Sequence, residues 1–227
     1  MMGAALRPKW LALFLLVIVT LLVLAYLGGE LYGWPPPHLF DLDSEGNIPA
    51  LYSGLALLLC SFLLAAISFA ERGQVLRCIA WAGLAFIFLF LGIDEWRTIH
   101  ERLDGPVHDA LDTSGLLFFA WIIPYGIAVI ILAMLYGRFI WGLPNRTRLL
   151  FVVAGSIFIL GAIGFEALGG RHTELYGRTG AYMVYSTIEE VLEMLGVVVF
   201  AYALAFYIST ELREHKFEVR RGNHWLM

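Results

Sequence analysis

Six runs of apolar residues, at 10–27, 49–70, 76–96, 115–137, 149–169 and 181–208, take up most of this 227-residue chain. Each reaches the roughly 18 residues or more that a helix needs to cross a hydrocarbon core about 30 Å thick. Lipid offers no partner to a backbone N–H or C=O, so helices are expected in all six. The expected fold is an all-α integral membrane bundle of six transmembrane helices, forming one domain over residues 1–227. With 60% hydrophobic and 15% charged residues, the composition excludes an ordinary soluble domain, and no basic stripe points to nucleic acid.

The first run, "WLALFLLVIVTLLVLAYL", follows Arg7 and Lys9 and has a signal-like "VLA" ending at Ala25. Its uninterrupted apolar length exceeds the usual signal-peptide core of about 7 to 15 residues, so a retained span is expected. Lysine and arginine placement then orients the bundle. Arg7, Lys9, Arg72, Arg77, Arg138, Arg146, Arg148, Arg213, Lys216, Arg220 and Arg221 fall on one side, and Arg97, Arg102, Arg171 and Arg178 on the other. Both termini are therefore expected in the cytoplasm, with loops 29–48, 97–114 and 170–180 outside. The tail "ELREHKFEVRRGNHWLM" reads as a positive-inside anchor. Cys60 and Cys78 differ in depth by several turns and are expected to stay unpaired.

In the first outer loop, "DLDSEGN" places Asp41, Asp43, Glu45 and Gly46 as at the start of a calcium-binding EF-hand loop. Pro49 and Tyr52 then occupy positions where calcium ligands belong, so a polar turn capped by Ser44 or Asn47 is the expectation.

The ionisable residues fall in one layer. Asp94 and Glu95 end the third span, Glu166 ends the fifth, and Glu189, Glu190 and Glu193 lie in the outer half of the sixth. His38, His100, Glu101, His108 and His172 lie on the same side. Spacings of three and four put Glu189, Glu190 and Glu193 on one helix face. A carboxylate at the centre of a span costs roughly 2.5 to 3.5 kcal/mol on insertion scales, so this face is expected to turn toward the bundle interior or a wet cavity.

Three readings of the layer stay open at this level. A buried hydrogen-bond and ion-pair network could fix helix register, with Arg97, Arg102 or Arg171 as compensating cations. A divalent metal such as zinc, iron or manganese could instead be held by ligands drawn from Asp94, Glu95, His100, Glu166, His172, Glu190 and Glu193. Glu189 or Glu101 would then be a spare base for a membrane enzyme acting on a lipid or other hydrophobic substrate. The glutamates could also form a cation or proton path, although polar groups thin out further in. A non-catalytic role in a homo-oligomer or larger membrane complex completes the set.

The segments "FDLDSEGNIPALYSGLALLLC", "LGIDEWRTIHERL" and "STIEEVLEMLGVVVFAYAL" resemble a group of uncharacterised bacterial multi-spanning inner-membrane proteins. The resemblance implies a multi-pass location in a bacterial inner membrane and brings no activity with it.

Overall fold

The computed structural model describes residues 7–210 and 212, and every regular element among them is helical. The basic tail from residue 213 onward lies outside the described residues, as does the placement of Arg213, Lys216, Arg220 and Arg221. Among the described residues, six helices are long and apolar enough to cross a membrane.

Helix α1, Pro8–Tyr32, starts with proline in its first turn, where no N–H partner is needed, and ends at Gly33 with φ 72°. A short α2, Pro37–Phe40, leads to α3, Ile48–Ala70, whose first turn is capped by Asn47: its side-chain oxygen accepts the Ala50 N–H at 3.1 Å. Of the two expected caps, Asn47 is the one used. Helix α4, Val75–Arg97, returns antiparallel to α3, and the two cross tightly where Gly54 faces Gly92.

At Thr98 the chain turns through φ 46° into α5, Ile99–Leu111, an amphipathic helix with no buried residue. A 3-10 turn, Gly115–Leu117, precedes α6, Ile122–Trp141. The fourth span thus begins seven residues later than the apolar run starting at 115 suggests. Gly115 has φ 64°, and the N–H groups of Ala120 and Trp121 are taken by the Asp104 carboxylate, so this apolar stretch packs as a loop.

The fifth span is one continuous path of 32 residues, Asn145–Tyr176. It consists of α7 (Asn145–Ile159), a π-helical segment (Leu160–Phe165) and α8 (Glu166–Tyr176). The last helix, α9, is Gly180–Ser209; α1, α3, α7, the π segment and α8 all pack on it. Its buried residues run from Tyr182 to Tyr207, making it the axis of the bundle.

The two ends of the bundle differ. At the end of α9 near Ser209, Glu71 forms a two-pronged ion pair with Arg77 (2.5 and 3.2 Å), and both groups bond to the Tyr207 hydroxyl. Burial would push the Glu71 carboxyl up, but these bonds outweigh it and hold it below the usual carboxylate range. Cys60 and Cys78 are both free thiols. The opposite end carries α5, the first loop and nearly all of the remaining acids.

Candidate functional site

Four separate stretches of chain build the polar end. In the first loop, Asp43 accepts hydrogen bonds from Tyr182 (2.7 Å) and Ser186 (2.9 Å) of α9 and pairs with Arg178 at 3.2 Å. Asp43 thus clamps the loop to α9. The clamp carries Glu45 over the pocket.

The α4–α5 junction supplies the second wall. Asp94 is buried, with 4% of its surface exposed, and accepts the His100 N–H at 2.9 Å and the Tyr125 hydroxyl at 2.7 Å. Its Oδ1 also lies 3.3 Å from His100 Nδ1. One carboxylate thereby caps α5, holds α6 through Tyr125 and sets the imidazole plane. Burial would lower the His100 pKa, but the hydrogen bond to Asp94 and the charges of Asp94, Glu45 and Glu101 raise it above its ordinary value. The Glu45 carboxyl is pushed up to about 7, chiefly by loss of water around it and further by Glu101 and Asp94, against the pull of His100.

The third wall depends on the π segment. A methyl group on Gly161 would meet the Glu189 carbonyl oxygen at 2.7 Å and the Glu193 Cγ at 3.1 Å, and one on Gly196 would meet the Phe158 backbone nitrogen at 2.9 Å. Only glycine permits this approach of α7 to α9. The wide π turn then presents Glu166 to α9, where its carboxyl is hydrogen-bonded to that of Glu189 and accepts the Trp121 indole N–H at 3.1 Å.

These walls enclose a polar pocket of about 220 Å³, lined among others by Glu45, His100, Glu101, Glu166, Glu189 and Glu190. Among the described residues, one group of three potential metal ligands has all its ligand atoms within 4.8 Å of one another: Glu45, His100 and Glu101.

The sequence-expected site residues divide as follows. His100, Glu101, Glu166, Glu189 and Glu190 line the pocket together. Asp94 lies behind His100 as its support. Glu95 turns toward α3, where it bonds to Ser53, and lies within electrostatic reach of Glu190 and Glu193. His172 is not brought to the pocket: its Nε2 lies 2.8 Å from the Thr179 hydroxyl at an exposed position. Arg97, Arg102 and Arg171 are exposed and form no ion pair among the described residues; the arginine on the pocket wall is Arg178.

Sequence reasoning missed Asp43, Glu45, Asp104 and Arg178 as lining residues. The "DLDSEGN" run was a signal that this loop has work for its acids, but hydropathy does not show a loop folding back onto the sixth span. Asp104 also serves structure, capping the backbone before α6, while Glu174 accepts the Gly115 N–H at 2.7 Å.

Residues 10–207 match the model of a family described as a domain of unknown function (DUF8692). No curated protein and no solved structure matches the chain.

Proposed function

The chain belongs to the DUF8692 family, and from that premise we propose that it is a multi-pass membrane protein whose polar pocket binds a divalent metal. The ligands in this reading are Glu45, His100 and Glu101. The observation that carries it is the placement of His100: one ring nitrogen is engaged by a buried carboxylate, and the imidazole stands among two carboxylates that have no hydrogen bond of their own among the described residues. Histidine ligands to metals regularly donate their second ring nitrogen to a carboxylate, which fixes the ring and raises its basicity. Two carboxylates and one imidazole suit zinc, iron or manganese better than calcium or magnesium, and three protein ligands leave a coordination position open.

A metal held there would supply Lewis acidity and an acidified water. Glu189 and Glu190, which line the same pocket, would accept a proton in this reading. The function we propose is therefore a metal-dependent membrane enzyme acting on a lipid or other hydrophobic substrate. In this reading the protein resides in a bacterial inner membrane with both termini in the cytoplasm, as its basic residues suggest. Ion conduction is disfavoured by α9 itself: beyond Glu193 it buries Met194, Val197, Phe200, Ala201 and Leu204 before the next buried residue with a polar side-chain group, Tyr207.

The test is metal content. Protein purified in detergent without chelators, after metal-supplemented expression, is expected to carry one equivalent of a transition metal, and His100→Ala and Glu101→Gln are expected to lose it. Wild-type protein free of metal under those conditions would sink the reading.

A further inference from the structure

Below the polar pocket lies a second, larger cavity of about 560 Å³, bounded by α4, α6, α7, the π segment and α9. Its size falls within the range of about 300 to 1,000 Å³ typical of small-molecule sites. Its walls are almost wholly aliphatic and aromatic. The lining residues Phe151 and Ile163 are twelve helical steps apart on the fifth span, about 18 Å at 1.5 Å per step. One leaflet of a bilayer core is about 15 Å deep, half of roughly 30 Å. Phe86 and Phe90 of α4 both line this chamber and are exposed, at 71% and 40%. The seam between α4 and α6 therefore opens toward lipid.

Trp121 lines both cavities. Its ring faces the apolar chamber while its N–H bonds to Glu166 in the polar layer. Tyr125 divides in the same way, lining the chamber with its ring and donating its hydroxyl to Asp94. The two cavities thus meet at an aromatic boundary of the kind that amphipathic side chains form at a membrane interface.

The head-group chemistry follows from charge. Seven carboxyl groups line the polar pocket against one arginine and one histidine. Arg178 is taken by Asp43, and Asp104 caps the backbone. If Glu45 and Glu101 hold a metal, Glu166, which accepts the Trp121 N–H, and Glu189 and Glu190 still line the pocket. An ammonium would find carboxyl acceptors and aromatic rings at this wall, whereas the one arginine lining the pocket is already paired with Asp43.

We propose that the two cavities form one site for a long-chain amine, its single alkyl chain in the Trp121–Phe151 chamber and its ammonium head against Glu189 and Glu190. The proposal rests on the reading of the polar pocket as the working site and names the substrate class for it.

The test uses the full chain in phosphatidylcholine nanodiscs, with protein-free nanodiscs as the partition control. Hexadecylamine is expected to bind at least about tenfold more tightly than hexadecanol or hexadecyl phosphate, and more tightly than octylamine. Gly155→Phe and Ala128→Phe project into the chamber from α7 and α6; a side chain at Gly155 meets nothing within 4 Å at its Cβ. Each is expected to weaken hexadecylamine binding about tenfold or more with metal content unchanged. Equal or tighter binding of hexadecyl phosphate, or hexadecylamine bound as well by both filled variants as by wild type, would overturn the proposal. The chain-length comparison needs no substitution and so stands even if the variants fold poorly. Metal measured on the same samples separates the two ideas: metal-free protein that keeps the amine refutes the metal alone, and metal-loaded protein that ignores it refutes the amine alone.

Discussion

Gly161 stands against the Glu189 carbonyl oxygen with no room for a methyl group between them, since a Cβ there would come within 2.7 Å of it. This contact sets how closely the fifth span lies on α9, and therefore where Glu166 meets Glu189.

Gly161→Ala is expected to destabilise the protein by about 1–3 kcal/mol, the usual cost of overpacking. Backbone atoms on α9 cannot rotate away as a side chain tip would. Gly137→Ala, at a helical glycine with open space around it, is the control and is expected to be neutral or slightly stabilising. Thermal unfolding in one detergent reads both, and equal melting temperatures for the two variants would contradict the close-packing account.

Asp94→Asn is expected to lower the pKa of His100, because the Asp94 charge and hydrogen bond raise it in the wild type. It also loosens the ring, and about 10- to 100-fold weaker metal binding is expected, as for other partners of ligating histidines. Histidine NMR titration checks the first part and competitive metal titration the second. An unchanged His100 titration would show that the pair at 3.3 Å is not formed in solution.

Stability of the metal-free protein is expected to fall as pH rises from about 5 to 8. Glu45 titrates near 7 in the folded protein against an ordinary value of 4.5, and His100 is likewise raised, so the folded state holds extra protons across this interval. Their contribution is fully present below the unfolded pKa values and is lost as pH passes the folded ones. Added metal is expected to reverse the slope, because its ligands must be deprotonated to bind. Melting temperatures against pH, with and without metal, test this, and Glu45→Gln should flatten the metal-free profile.

Glu71→Gln is expected to cost about 2 kcal/mol by leaving Arg77 short of its charged partner. Metal content should not change, because the pair lies at the other end of the bundle. The wild-type contribution of Glu71 is present above the unfolded carboxylate pKa and lost as acidification passes its lowered folded value. A variant that also lost metal would mean that the two ends are coupled.

The spans were legible because lipid imposes one requirement on twenty or so consecutive residues, and the apolar runs record it. Their ends were less so. Gly115 to Trp121 is as apolar as a span, yet it is held as a loop by Asp104, a contact across 16 residues that no local window contains. The acidic layer was legible from depth alone, including Glu189, Glu190 and Glu101. The pairing within it was not. Glu45 joins His100 only because Asp43 binds Tyr182, 139 residues away, and His172 turns aside to Thr179 at the end of a span whose π turn changes the helical phase.

Helix α5 brings His100, Glu101 and Asp104 to the pocket while burying none of its own residues. It is held by hydrogen bonds at its ends and polar face and by the His100 ring against Trp121 and Tyr125, with no residue in the packed core, so it can melt without drawing α9 with it. The proposed ligands His100 and Glu101 thus sit on an element outside the packed core. On heating, binding should vanish some degrees before the bundle does, leaving a membrane protein still intact by helicity and already silent.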